Sequence, residues 1–325
     1  MAKPKVFVTR AVPDKGLDLV KQFCDADIWP ESTPPSREVI LAHVRGVDGI
    51  YCLLTDRIDG EVLDAAGPQL KVVSNMAVGF DNIDVPAATA RKIPVGNTPD
   101  VLTEATADFA FGLMLTAGRR MQEGEQYVRA GKWQTWDPML LLGVDFARST
   151  LGIVGFGRVG KALARRAAGF DMKVIYYDPM ARPDRDIKAS SVDFETLLRE
   201  SDFISLHTPL TAETRHLINA EAFAEMKPNC VLVNTSRGPV IDLDALYQAL
   251  KNHQIFAAGL DVTDPEPLPL DSPLLTLENI VICPHIASAS KSTREKMALM
   301  AAKNLISGLK GEYLPNCVNP EVYAK

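Results

Sequence analysis

Apolar residues in this chain gather into two successive series of short runs, each run followed by a stretch whose apolar positions return at helical spacing. In the first series KVFVTR (5–10), GIYCLL (49–54), LKVVSNM (70–76) and IPVGN (93–97) read as strands. Between them PDKGLDLVKQF (13–23) and SREVILAHVRG (36–46) read as helices, with Ser36 placed to cap the second and Gly46 to stop it. A single long helical pattern then spans 103–130, and its first half is apolar on most sides, which predicts burial. GKWQTWDPMLLLGVDF (131–146) breaks the periodicity with Gly, Pro and aromatic residues and reads as an irregular arm.

The second series runs from 150 to 285, with strands expected at TLGIVG, MKVIYYD, FISLH, CVLVNTS, AAGLDV and IVICPH. A last helix is expected over 291–310, ending near Gly308 or Gly311. Strands that alternate with helices imply parallel sheets covered on both faces. The expected fold class is therefore α/β, with two Rossmann-like or flavodoxin-like parallel-sheet domains and an active-site cleft between them. Residues 1–99 and 290–325 are expected to form a substrate-binding domain, and 100–289 a cofactor-binding one.

Composition narrows the class. At 325 residues the chain has the length of two ordinary domains, and 46% hydrophobic with 23% charged residues is typical of globular proteins. A net charge of −6 leaves no basic footprint for nucleic acid or a membrane surface, so an anionic substrate would need a local positive site. The five cysteines are scattered and form no C-x-x-C pair, which argues against a disulfide framework or a zinc site and for a reducing compartment. MAKPKVFVTR leads directly into a strand without a secretory apolar region, and the longest apolar stretch (109–118) is about half a bilayer span. A cytoplasmic location is expected.

TLGIVGFGRVGKALARR (150–166) sets Gly155, Gly157 and Gly160 at G-x-G-x-x-G spacing between a strand and a helix. Such glycines permit a tight turn, close approach of a pyrophosphate and close helix–strand packing, and the helix N-terminus offers N–H groups to phosphates. A second strand ends at Asp178, eighteen residues beyond Gly160, where a carboxylate accepts from ribose hydroxyls and repels a 2′-phosphate. NAD(H) is therefore the preferred cofactor, and Arg182 and Arg185 keep NADP(H) possible.

A nicotinamide cofactor moves hydride, so the chemistry also needs a proton donor and a substrate anchor. In open α/β sheets both lie beyond the carboxyl ends of strands. Arg237 follows CVLVNTS, Glu266 follows AAGLDV and His285 follows IVIC. Singly, each has an ordinary structural reading: a surface ion pair, a loop charge between prolines, a histidine at a strand end. One at each of three successive strand ends points to catalysis.

Several motifs in order extend this reading: NMAVGFDNIDVPAATARKIPVGNTPDVLTEATAD (75–108), GIVGFGRVGKALARR, HTPLTAETRHLI (207–218), LVNTSRGPVID (232–242), AGLDVTDPEPLP (258–269) and CPHIASAS. With them the chain resembles the D-isomer-specific 2-hydroxyacid dehydrogenases over nearly its whole length, most closely the glyoxylate/hydroxypyruvate reductase branch. The resemblance implies NAD(P)H-dependent reduction of a small 2-oxoacid, glyoxylate or hydroxypyruvate, to the D-2-hydroxyacid by a homodimeric enzyme. It implies that Arg237 holds the carboxylate and polarises the carbonyl, that His285 donates the proton, and that Glu266 orients His285 and favours its imidazolium. The Val78 and Gly79 amides would bind the carboxylate from the other domain. It further implies cofactor contacts at Thr106, Phe156, Gly157, Arg158, Val159, Asp178, Thr208, Pro209, Thr235, Ser236 and Asp261. Thr106 and Thr208 read equally well as caps or turn residues, and Asp261 either reaches a nicotinamide amide or caps a turn. The match departs at Ala287, where the family often has glycine, and at Leu140, where a W-x-P-x-W pattern places its second tryptophan. Other D-2-hydroxyacid substrates, 2-ketogluconate or D-lactate, suit the same motifs. So does a different class, a nucleotide-sensing corepressor-like protein, although the chain lacks the long tails or basic segments that role favours.

Overall fold

The structure, a computed structural model, describes residues 2–181, 184 and 186–324, and it divides the chain into two units. The first comprises Met1–Leu102 and Ala289–Lys325, the second Thr103–Ser288.

In the first unit the chain alternates through β1 (Lys5–Val8), α1 (Asp14–Phe23), β2 (Asp25–Ile28), α2 (Arg37–His43), β3 (Gly49–Cys52), α3 (Gly60–Ala66), β4 (Val72–Asn75), α4 (Val85–Ala90) and β5 (Val95–Gly96). All neighbours pair in parallel in the order β2-β1-β3-β4-β5, so chain order reverses beside β1, the place where such sheets open a crevice. β3 and β4 are buried along their whole length, which is why GIYC and VVSN read as near-continuous apolar runs. Strand β2 had no sequence signal. DADI is short and half charged, as suits an edge strand guarded against pairing with another chain. Ser36 caps α2 by accepting from the Val39 amide, and Gly46 follows with φ 75°.

In the second unit come α5 (Thr103–Gly118), α6 (Met121–Arg129), β6 (Thr150–Val154), α7 (Arg158–Ala168), β7 (Lys173–Tyr177), β8 (Ser190–Ser191), α8 (Phe194–Glu200), β9 (Phe203–Leu206), α9 (Ala220–Glu225), β10 (Val231–Asn234), α10 (Leu243–Lys251), β11 (Ala257–Leu260) and β12 (Ile280–Ile282). The chain then returns to the first unit through α11 (Lys291–Leu309). The seven parallel strands lie in the order β12-β11-β10-β9-β6-β7-β8, doubly wound about β6. Two apolar clusters, one on each face, cover this sheet: Leu206, Leu232 and Leu260 point into one, Val231, Val233 and Ala257 into the other.

One expectation needs correction. The pattern over 103–130 is two helices: the chain turns at Arg120, whose φ of 52° is left-handed. The physical reason is packing. Helix α5 buries Ala107, Ala110, Phe111, Leu113, Met114 and Ala117 within its unit, whereas α6 buries no residue at all.

Helix α11 binds the first unit's sheet through small residues and buried hydroxyls. Tyr51 Oη donates to the Ala298 carbonyl at 3.2 Å and Ser74 Oγ to the Ala301 carbonyl at 2.8 Å. Gly16 of α1 lies so close that a Cβ there would stand 2.6 Å from the Ala298 carbonyl carbon. Among the described residues no helix is long and apolar enough to cross a membrane.

Candidate active site

Strands β10, β11 and β12 are neighbours in one parallel sheet, so their carboxyl ends emerge side by side at a spacing of about 5 Å. Arg237, Glu266 and His285 lie in the three loops that leave those ends, and the second unit brings them together. His285 Nδ1 lies 2.9 Å from Glu266 Oε2. The other Glu266 oxygen accepts the Thr263 amide at 3.1 Å, which fixes the carboxylate plane. Burial works to raise the Glu266 pKa. The hydrogen bond and charge of His285, the Thr263 amide and the charge of Arg237 outweigh it and hold the carboxyl below its ordinary range.

Two of these loops are shaped by a polar residue buried beneath them. Asn234, the last residue of β10, has no exposed surface. Its Oδ1 accepts from the Ser236 amide at 2.9 Å and hydroxyl at 2.8 Å, and its Nδ2 donates to the Arg237 carbonyl at 2.8 Å. Arg237 itself is extended, with one terminal nitrogen 2.9 Å from the Ser236 carbonyl. The following Gly238 is required sterically, since a Cβ there would overlap the Thr263 carbonyl. That close approach joins the Arg237 loop to the Glu266 loop.

Asp261, at the end of β11 and 1% exposed, caps the third loop. Its two oxygens accept the Ile286 amide at 2.8 Å and the Ala287 amide at 2.7 Å, while its carbonyl accepts the His285 amide at 2.9 Å. Burial raises the Asp261 pKa against the pull of these amides. His285 takes a left-handed φ of 54°, a backbone cost of about 1 kcal/mol that the cap offsets. Of the two readings of Asp261, the contacts it makes here are those of a turn cap.

The glycine-rich turn fits a dinucleotide. Gly155 has φ 90°, and a Cβ on it would stand 2.6 Å from the His207 carbonyl oxygen; a Cβ on Gly160 would overlap the Gly155 carbonyl. Over Gly157 a Cβ would meet nothing within 4 Å, so the backbone there is open to a phosphate. Gly157 is also the N-cap of α7 and supplies no side-chain cap, so the first turn of that helix keeps donors for an anion. Phe156, Arg158 and Val159 complete the turn, with the Phe156 ring stacked on Tyr176 at 3.9 Å. Asp178 accepts the Phe156 amide at 2.8 Å through one oxygen and the Met180 amide at 2.8 Å through the other. It thereby clasps the turn, and each oxygen retains a further lone pair.

Thr208 and Pro209 leave β9 beside the turn, and among the described residues the Thr208 hydroxyl makes only a long 3.4 Å bond to the Pro209 carbonyl. The Thr235 hydroxyl is enclosed and meets no partner among the described residues, an orphaned donor of the kind a ligand satisfies. Ser236 is held by Asn234, and Thr106 is buried in α5. Arg182 and Arg185 lie outside the described residues. In the first unit Val78 and Gly79 follow β4, and Val78 is exposed.

Residue reasoning missed the supporting polar groups, Asn234 above all. The available signal was an asparagine closing an apolar strand, VLVN, immediately before the arginine. It also missed His207, at the end of β9, whose Nε2 lies 2.9 Å from Ser205 Oγ.

A doubly wound parallel sheet with this turn, and with a carboxylate at the end of its second strand, defines a dinucleotide-binding protein. Comparison with known proteins agrees. Residues 111–287 match the model of the D-isomer specific 2-hydroxyacid dehydrogenase NAD-binding domain. The chain is 54% identical over 323 residues to a glyoxylate reductase of Korarchaeum cryptofilum, covering 98% of this chain and 97% of that one. A protein from Thermus thermophilus superposes with a TM-score of 0.92 at 46% identity, over 97% of this chain and 99% of its own. An NADPH-dependent glyoxylate/hydroxypyruvate reductase from Sinorhizobium meliloti, solved with NADP and malonate, superposes at 0.84 with 30% identity, over 100% and 99%. The chain belongs to the D-isomer specific 2-hydroxyacid dehydrogenase family. It is a nicotinamide-dependent oxidoreductase.

His207 gives this unit a pH signature. Although a little of the residue reaches solvent, desolvation lowers its pKa from 6.5 to about 4. The unfolded chain therefore binds more protons between those values, and stability falls as pH drops through that window. We expect unfolding free energy to decline by up to roughly 3 kcal/mol between pH 6.5 and 4. A His207→Gln variant should flatten that part of the profile in denaturant titrations, and an unchanged slope would exclude His207 as its source.

Proposed function

We propose that the chain reduces a small 2-oxoacid, glyoxylate or hydroxypyruvate, to the D-2-hydroxyacid, with NADH preferred. The observation that carries this reading is the His285–Glu266 pair at 2.9 Å, beside Arg237 at the neighbouring strand end. The glyoxylate reductase relatives support the substrate class. When bound, the reduced nicotinamide supplies the hydride. With Nδ1 engaged by Glu266, His285 gives its proton from Nε2 to the carbonyl oxygen of the substrate. The Glu266 carboxylate, held ionised by its surroundings, pairs with Nδ1 and fixes the ring. Arg237 presents a planar fork to the substrate carboxylate and polarises the adjacent carbonyl. The Val78 and Gly79 amides are assigned to the same carboxylate, and Thr235, Ser236, Thr208, Pro209, Thr106 and the 155–160 turn to the cofactor.

His285→Ala should lower kcat by about 100- to 10,000-fold, the usual worth of general acid catalysis, and leave NADH affinity within a factor of about two. Glu266→Gln should lower kcat for reduction while NADH affinity holds, because the ring loses the carboxylate that orients it. Arg237→Lys keeps the charge and loses the fork, so KM should rise as kcat falls. Near-normal turnover in His285→Ala would remove the proton-donor assignment.

Asp178 supports the preference for NADH. Its lone pairs not taken by Phe156 and Met180 suit ribose hydroxyls, and its charge opposes a 2′-phosphate. KM for NADH should fall well below that for NADPH, and the reverse order would overturn this role.

We place the enzyme in the cytoplasm, a reading its free cysteines support. We propose that it works as a homodimer. Helix α6 and the arm after it expose Met121, Val128, Trp133, Trp136, Met139 and Leu142, Trp136 to 79%, and apolar residues gathered in one exposed segment suit an interaction surface. Light scattering should give twice the chain mass, and Trp136→Glu with Met139→Glu should give the single-chain mass.

A further inference from the structure

The segment after β4 is built in an unusual way: four consecutive carbonyls are each engaged. The Ala77 carbonyl accepts the Thr98 amide at 2.8 Å and the Phe80 carbonyl the Ile83 amide at 2.9 Å. The two between are held by side chains. Asn97 Nδ2 donates to the Val78 carbonyl at 2.8 Å, and Asn75 Nδ2 to the Gly79 carbonyl at 3.0 Å. In a trans peptide the C=O and the next N–H point in opposite directions in one plane. A carbonyl anchored inward therefore turns the following amide outward. Thr98 aims the Val78 N–H in this way, and Asn97 aims the Gly79 N–H. Asn75, by gripping the next carbonyl, fixes the Gly79–Phe80 peptide and so holds the Gly79 amide from its other side. Among the described residues no acceptor meets either amide.

The two asparagines are themselves braced. Asn75 closes β4 with no exposed surface, and its Nδ2 also donates to Asn82 Oδ1 at 3.1 Å. Asn82 Nδ2 in turn donates to the Leu53 and Asp56 carbonyls, each at 3.0 Å. The Asp56 carboxylate, 1% exposed, accepts the Leu53 amide at 2.7 Å and the Thr9 hydroxyl at 2.5 Å. On the other side the Asn97 carbonyl accepts from Asn304 Nδ2 of α11 at 2.8 Å. The anchors thus run back into β1, β3 and α11.

We propose that Asn97 and Asn75 are positioning residues for oxoacid binding, which hold the Val78 and Gly79 amides as a preformed anion cradle. This rests on the assignment of those amides to the substrate carboxylate, and it predicts which side chains set their direction. A loop free to rotate its peptides would present a carbonyl to the carboxylate as readily as an N–H.

The test compares wild type with Asn97→Leu, which keeps the size and removes the donor, and Asn97→Gln, which restores an amide. With glyoxylate and NADH, Asn97→Leu should raise KM roughly tenfold, about the loss of one hydrogen bond to a charged group, while kcat stays within about threefold. Affinity for oxamate, an unreactive oxoacid analogue, should fall in parallel, NADH affinity should hold, and Asn97→Gln should recover part of the loss. A separate arm labels glycine with nitrogen-15 and follows the Gly79 amide as oxamate is added to the wild-type holoenzyme. A downfield proton shift there with unchanged KM in Asn97→Leu would overturn the positioning role alone. No shift at Gly79 would overturn the amide assignment beneath it. Equal losses in kcat and NADH affinity would mark Asn97 as merely structural and overturn the proposal as well.

Discussion

The contact of Gly238 with the Thr263 carbonyl governs the second unit's site. Parallel pairing already brings the ends of β10, β11 and β12 side by side, but strand spacing alone leaves their loops free to splay. Removing one Cβ lets the loop that carries Arg237 lie directly on the backbone from which Glu266 is reached. The Thr263 amide, at that same place, holds one Glu266 oxygen and leaves the other for His285. Any larger residue at 238 would separate the arginine from the carboxylate–imidazole pair, and the three side chains would keep their identities while losing their mutual geometry.

Backbone groups do most of the positioning. Glu266 is held by an amide, His285 sits in a loop whose next two amides are fixed by Asp261, and the glycine turn is clasped by Asp178 through the Phe156 amide. Such anchors lose little side-chain entropy on folding, because the donors are already part of the ordered chain. Long ion pairs behave differently: those on the surface, such as Lys173 with Glu200 or Arg199 with Glu225, add little order.

The alternation of apolar runs and helical spacing made both parallel sheets legible, and the glycine spacing with Asp178 made the dinucleotide turn legible. The three residues proposed for the chemistry could be picked out because strand ends are visible in sequence, and functional groups in such folds concentrate there. Where apolar pattern was weak, reading failed. Strand β2 is four residues of alternating charge, β8 is two serines, and the break at Arg120 is a left-handed residue inside a continuous helical pattern. The residues that shape the loops escaped for another reason. Asn234, Asn75 and Asn97 look like ordinary turn formers, and only three-dimensional placement shows which carbonyl each one holds.

That placement exposes one device used twice. Asn234 and Asn75 each close a strand inside a parallel sheet, are fully enclosed, and spend a side-chain amide on a carbonyl three or four residues ahead, that of Arg237 in one case and of Gly79 in the other. An asparagine suits this position because it both donates and accepts: Asn234 takes the Ser236 amide while it gives to Arg237. Aspartate would offer no donor to the carbonyl, and leucine would remove the hydrogen bond altogether, at a cost of about 1 kcal/mol. The requirement is therefore for an amide and not simply for a polar residue. In both units the loop it shapes is the one that carries the groups assigned to the oxoacid, so the strand-end asparagine converts the rigidity of a sheet into the direction of a loop.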